Sequence, residues 1–277
     1  MNIHIRCDME GVGGVVSMAQ VTPGSPEYIQ GQDLFMLELL ALIEGLESAG
    51  GVQEISIYDE HWFGRNIDIR RIPSRVRLFL GKPPYRKDWA GGLDASHAAM
   101  ILHGLHAMAG TGHVLAHTYE PDFCAIHLNG LLVGEIGVES AIAGDWGVPL
   151  GLIVADSAGV EEAQALLPGV RSVITKISHG ESSAECFPLI DILHKIKKAG
   201  YELAKDGPCV KAWTHTGEVE MRFTFNDGRY LEVLSEFYKN DFIAGNVLQL
   251  TGLSATAIWA DYWQRKLFTQ KFIANNP

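Results

Sequence analysis

Paired cysteines are missing from this chain. Cys7, Cys124, Cys186 and Cys209 are scattered, with no C-x-x-C pair and no regular spacing, which excludes a disulfide framework and predicts reduced, mostly buried thiols. There is no basic N-terminal region running into an apolar stretch, and no apolar run long enough to span a bilayer. The expectation is therefore a cytoplasmic protein without a membrane role. Repeats, low-complexity segments and charged tails are absent as well. Positive charge is scarce: 22 Lys and Arg stand against 33 Asp and Glu, a formal net charge of −11. That balance excludes the basic face a phosphate backbone requires, and modestly favours cationic or amine-bearing ligands.

What is present is globular. With 47% hydrophobic and 20% charged residues over 277 positions, the chain can bury a large core. The opening stretch Met1–Glu10 alternates Ile3, Ile5 and Cys7 with His4, Arg6 and Asp8, the period of a strand with one better-buried face. The glycine-rich turn Gly11-Val12-Gly13-Gly14 follows at once. Asp8 and Glu10 then project to the same side at the strand end. Two carboxylates so placed repel each other in a dry site unless a cation lies between them, although a surface Asp-x-Glu before a turn has the same pattern.

Turn residues mark 21–26 as a loop, and apolar positions at helical spacing predict a helix over Gln32–Glu47 closed by Gly50-Gly51. Glu54–Tyr58 reads as the second strand, so a β-loop-α-β order emerges. His61 lies just beyond it, and His106 stands in the same relation to a buried strand at Ala98–Leu102. His97, His103, His113 and His127 read as incidental, and Arg65–Arg77 as an irregular excursion. Further strands are expected at Phe123–Leu128, Gly151–Ala155, Ser172–Ile177 and Glu218–Phe225, with helices at Glu161–Leu167 and Leu189–Leu203. Glu135 opens a small-residue helix, where a carboxylate suits the helix dipole or completes a site begun by Asp8 and Glu10. Lys176 reads as a surface lysine. The aromatics Trp259, Tyr262, Trp263 and Phe268 read as core or subunit interface. The fold class expected is α/β, a central largely parallel sheet flanked by helices over residues 1–190, with a smaller α+β lobe over 191–277.

Asp8-Met9-Glu10-Gly11, Asp59-Glu60-His61, Gly104-Leu105-His106-Ala107, Ala116-His117-Thr118 and Asn129-Gly130 with Gly134-Glu135 occur in one order. In that series the sequence resembles the zinc-dependent D-aminopeptidases of the dipeptide-transport (DppA) type over roughly its first 180 residues. The resemblance implies a dinuclear centre of about two zinc ions per chain, held by Asp8, Glu10, His61, His106 and Glu135, with His117 as the catalytic histidine. It also implies short peptide substrates with a free N-terminus and a large ring-based homo-oligomer, a decamer in the family. Three positions depart from its pattern: Arg6 and Glu60 each stand where the family has serine, and Leu105 stands where it has an aromatic before the second histidine.

Imidazoles and carboxylates without thiolates suit a catalytic rather than a structural zinc site, and a carboxylate such as Asp8 can bridge two ions. The function expected is an aminopeptidase with a possible D-residue preference. A zinc amidase or esterase on a non-peptide substrate, and a non-catalytic metal-binding scaffold, are the alternative readings. Glu60 and Glu139 are candidates to read the substrate ammonium, and Arg6 to hold a substrate carboxylate.

Overall fold

The computed structural model of the chain describes residues 1–82 and 85–276. Strand β1 (Asn2–Cys7), the short helix α1 (Met18–Val21), the long helix α2 (Tyr28–Ser48) and β2 (Glu54–Asp59) come first. They are followed by β3 (Val76–Phe79), β4 (His97–Leu105), β5 (Phe123–Leu128), β6 (Leu131–Val133), α3 (Glu135–Asp145), β7 (Leu150–Ala155), α4 (Ser157–Leu166) and β8 (Arg171–Ile174). The short strands β9 (Lys176–Ser178) and β10 (Ala184–Cys186) form a hairpin of their own. The rest comprises α5 (Leu189–Asp206), β11 (Val219–Phe225), α6 (Arg229–Tyr238), β12 (Phe242–Ala244), β13 (Val247–Gly252) and α7 (Ala255–Asn275).

Six strands make a parallel sheet in the order β3-β2-β1-β4-β7-β8. The order runs outward in both directions from β1 and β4, so the crevice at their carboxyl ends is the topological switch point where α/β sheets place ligands. On one face Ile3, Ile5 and Cys7 pack with α2 residues Phe35, Leu39, Leu42 and Leu46 and α5 residues Ile192, Ile196 and Leu203. The spacing of these helical residues follows the 3.6 period, and each buried aliphatic side chain contributes roughly 1.5–3 kcal/mol. The opposite face is covered too. His4 and Arg6 are therefore as buried as their apolar neighbours, and His4 bonds Ser56 at 2.7 Å. The alternation in β1 predicts a strand with one better-buried face; a parallel sheet covered on both sides instead buries every position after Asn2.

The second sheet is antiparallel, in the order β12-β13-β11-β5-β6, and α6 and α7 pack with it around Phe223, Phe225, Trp259 and Tyr262. Its strands come from both sides of residue 190, whereas α5 belongs with the first sheet beside α2. The expected boundary at 190 therefore does not coincide with the division between the sheets. Val76–Phe79 adds an edge strand at the end of the supposed irregular stretch, because Val76 and Leu78 pair alongside β2. Of the cysteines only Cys7 is buried; Cys124, Cys186 and Cys209 are exposed, and all four are free thiols. Among the described residues no helix is long and apolar enough to cross a membrane.

Candidate metal centre

The centre is assembled at the switch point by backbone that could not approach so closely with other residues. Asp8 N–H donates to the His103 carbonyl at 2.8 Å and Gly11 N–H to the Gly104 carbonyl at 2.7 Å. A Cβ on Gly11 would lie 1.7 Å from the Leu105 carbonyl oxygen, and one on Gly104 2.0 Å from that of Asp8. Gly104 also has φ of +77°, a conformation that favours glycine. These two glycines bring the end of β1 against the end of β4, and hence Asp8 and Glu10 against His106.

A buried lysine fixes the turn that carries Glu10. Lys176 is wholly buried, and its ammonium donates to the carbonyls of Glu10, Val12 and Val15 at 2.5, 2.9 and 2.5 Å. The surface position expected for it is thus corrected: it follows β8 into the molecule and ties down the glycine-rich loop. Burial pushes its pKa down to about 8, with Asp156 and Glu38 opposing that shift.

Five of the six residues implicated by the sequence surround one cavity of about 450 Å³, and His106 lies directly behind its wall. Asp8 offers its two oxygens to different histidines: Oδ1 lies 2.8 Å from His61 Nδ1 and Oδ2 3.4 Å from His106 Nε2. Glu10 Oε2 is 3.2 Å from His61 Nδ1. Glu135 Oε1 lies 3.6 Å from His106 Nε2 and 3.9 Å from His117 Nε2. The remaining nitrogen of each ring donates to a backbone carbonyl: His61 Nε2 to Val21, His106 Nδ1 to Ala107 and His117 Nδ1 to Leu115. Those bonds fix the ring orientation and aim the other nitrogen at the carboxylates, the arrangement that metal-binding histidines require. Trp62, Leu115 and Tyr119 flank these histidines with φ of 48°, 55° and 54°. Left-handed non-glycine backbone beside His61 and His117 is local strain gathered at the site.

The electrostatics call for positive charge. Burial would raise the Asp8 carboxyl, yet the neighbouring imidazoles of His106 and His61 outweigh it and hold Asp8 well below the carboxylate range. Burial likewise opposes protonation of His106, but Asp8 and Glu135 push its pKa up to about 10. Glu135 itself is raised, first by burial. Imidazolium or a divalent cation can each satisfy three converging carboxylates. Two buried side-chain atoms, Glu10 Oε2 and His106 Nε2, have no hydrogen-bond partner, and such orphaned atoms among carboxylates and imidazoles fit zinc. Asp8, Glu10 and His106 offer ligand atoms within 4.8 Å of one another, as do His106, His117 and Glu135.

Arg6, Glu60 and Glu139 are not where sequence reasoning put them. Arg6 is wholly buried, donating from one guanidinium nitrogen to Glu139 and, at 3.0 Å, to Glu60, and from another to the Ala90 carbonyl at 2.6 Å. It holds no substrate carboxylate, and the two glutamates are not spare. Glu60 is pushed up to about 8 by burial and then by the Glu139 charge, with Arg6 opposing. The cavity wall instead includes Trp62, Phe63, Trp263, Lys82, Lys266 and Glu120, none of which a sequence motif marks. Trp259 and Tyr262 serve core and cavity at once, whereas Phe268 remains half exposed. His97 bonds Ser56 at 2.9 Å, and His103 lies inside β4 at 3.4 Å from Glu38, both away from the cavity.

A curated relative is similar in sequence, and a solved structure shares this fold. A D-aminopeptidase from Bacillus subtilis (strain 168) is 26% identical over 188 residues, 67% of each chain. The solved structure of the Zn-dependent D-aminopeptidase DppA from Bacillus subtilis, a self-compartmentalizing protease, superposes with a TM-score of 0.88 at 21% identity. That superposition spans 98% of this chain and 97% of the other, and it shows a shared fold. The sequence model of the D-aminopeptidase family matches residues 1–260, and the chain belongs to that family.

Proposed function

We propose that the protein is a dinuclear zinc aminopeptidase acting on short peptides with a free N-terminus, D-residues preferred at that end. The observation carrying this reading is Asp8, whose two oxygens face His61 on one side and His106 on the other. Asp8, Glu10 and His61 would hold one ion, and Asp8, His106 and Glu135 the second. Zinc bound there supplies Lewis-acid polarisation of the scissile carbonyl and a lowered pKa for the attacking water.

His117 is placed to move protons. With Nδ1 committed to the Leu115 carbonyl, its Nε2 keeps a lone pair toward Glu135 and the cavity. It can take a proton from water and return it to the departing amine. The indoles of Trp62 and Trp263 on the cavity wall exclude water. Lys266 is paired with Glu120, whereas the Lys82 ammonium on the wall donates to the Glu60 carbonyl and has no carboxylate partner among the described residues. We assign Lys82 to the carboxylate of a short substrate.

A large homo-oligomer, the decamer implied by the resemblance, completes the proposal. Phe237 and Phe268 pack edge to face on the surface and are each more than 40% exposed, and Leu253 is 91% exposed. Such apolar surface is better covered than solvated. A cytoplasmic setting agrees with the free, exposed cysteines.

The test is a panel of L- and D-alanyl di- and tripeptides, their N-acetyl forms, and simple amides and esters, assayed with zinc restored. Cleavage of the free-amine peptides alone, faster for the D forms, is the expected result. Equal or better turnover of N-acetylated or non-peptide substrates would establish an amidase instead, and no turnover of anything would leave a scaffold.

A further inference from the structure

Arg6 is separated from Asp8 by one residue on β1, and it is the hub of a buried network that reaches two other segments of the proposed centre. Its contact with Glu60 reaches the residue immediately before His61; Tyr85 holds the same Glu60 oxygen at 3.3 Å. Its contact with Glu139 reaches one helical turn beyond Glu135 on α3. Glu139 also accepts the Tyr119 hydroxyl at 2.8 Å, and the Tyr119 N–H donates to Glu135 Oε1 at 2.6 Å. Arg6 and Glu139 expose 0% and 1% of their side chains, so these bonds face no competition from water. Arg6 and Glu60, two of the three positions that depart from the resemblance, thus meet each other in space.

A guanidinium is a rigid planar fork, able to hold two carboxylates and a carbonyl in one fixed arrangement. A serine at position 6 could reach neither glutamate with charge. We infer that Arg6 is a positioning residue of the metal centre: through Glu60 and through Glu139 and Tyr119 it sets where His61 and Glu135 stand relative to Asp8. It touches neither substrate nor ligand atoms. Loss of such outer hydrogen-bonding partners typically weakens metal binding by 10–100-fold. The inference rests on the reading that these residues hold metal.

The test uses full-length, chelator-treated protein and titrates zinc and cobalt. Arg6→Met alone would strand two buried carboxyl groups and could prevent folding, so it is made together with Glu60→Gln and Glu139→Gln, which leaves the site neutral. The expected result is a folded protein with an unchanged melting temperature in the stripped state. Its zinc dissociation constant is raised about tenfold or more, and its cobalt absorption spectrum is altered. Arg6→Lys keeps the charge without the fork, and should regain only part of the affinity. If both variants bind zinc as tightly as the unaltered protein and give its cobalt spectrum, Arg6 only fills space and the inference is overturned. Unaltered protein that binds no zinc would overturn the metal-centre reading and this inference with it; where the unaltered protein titrates normally, the variants test the Arg6 network separately from that reading.

Discussion

The imidazole of His117 lies parallel to that of His106, with ring centroids 4.3 Å apart and planes 10° apart, yet the two histidines differ in access to the cavity. His106 exposes none of its side chain and His117 exposes 32%. A sealed ring among carboxylates suits a ligand, and an exposed ring on the cavity wall suits proton transfer. His117→Ala should therefore retain bound zinc while kcat falls about a hundredfold or more, the range typical of general acid–base groups. Metal analysis beside steady-state kinetics checks this. Loss of metal along with activity would make His117 a ligand.

Substrate length should be read by Lys82. Amidating the C-terminus of a dipeptide removes the charge it is assigned to bind, and KM should rise about tenfold, as expected for one charge-assisted hydrogen bond. In Lys82→Met the acid and the amide should be cleaved alike. A wild-type enzyme indifferent to amidation would remove Lys82 from substrate recognition.

Glu162 provides a pH signature for the loops around the centre. It accepts the N–H of Met108 at 2.9 Å and of Gly134 at 3.1 Å, and burial pushes its pKa from 4.5 up to about 7. A carboxyl whose folded pKa is raised binds more protons in the folded than in the unfolded state between those values. Its contribution is complete below pH 4.5 and is lost as pH rises through about 7. Urea unfolding of metal-free protein should show Glu162→Gln gaining on the unaltered chain by about 3 kcal/mol across that window. Parallel pH profiles would show that Glu162 titrates normally.

Much of the centre is legible in the sequence because its donors sit at strand and helix ends, which local patterns mark well. Asp8 follows an alternating strand into glycines, His61 and His106 follow apolar runs, and Glu135 opens a helix. What escapes local pattern depends on pairing at long range. Nothing near Phe123–Leu128 announces that β5 joins β11 some hundred residues later, so a lobe starting at 190 is the natural reading and the sheet cuts across it. Lys176, Glu60 and Glu139 are charged residues whose default place is the surface. Lys176 and Glu139 are buried, and Glu60 largely so, only because distant partners satisfy them: three loop carbonyls for the lysine, and Arg6 for the glutamates. The cavity wall is assembled from Trp62, Lys82 and α7, which no motif spacing links.

In the proposed centre one carboxylate, Asp8, would serve two metal ions. Its Oδ1 is 2.8 Å from His61 Nδ1 and its Oδ2 3.4 Å from His106 Nε2, so removing the side chain should loosen both ions together. Elemental analysis of protein purified without chelator, compared with Asp8→Ala, is the direct measurement. The account predicts about two zinc ions per chain in the unaltered protein and loss of both in the variant. Active protein containing one tightly held ion or none, or an Asp8→Ala variant that keeps both, would contradict it.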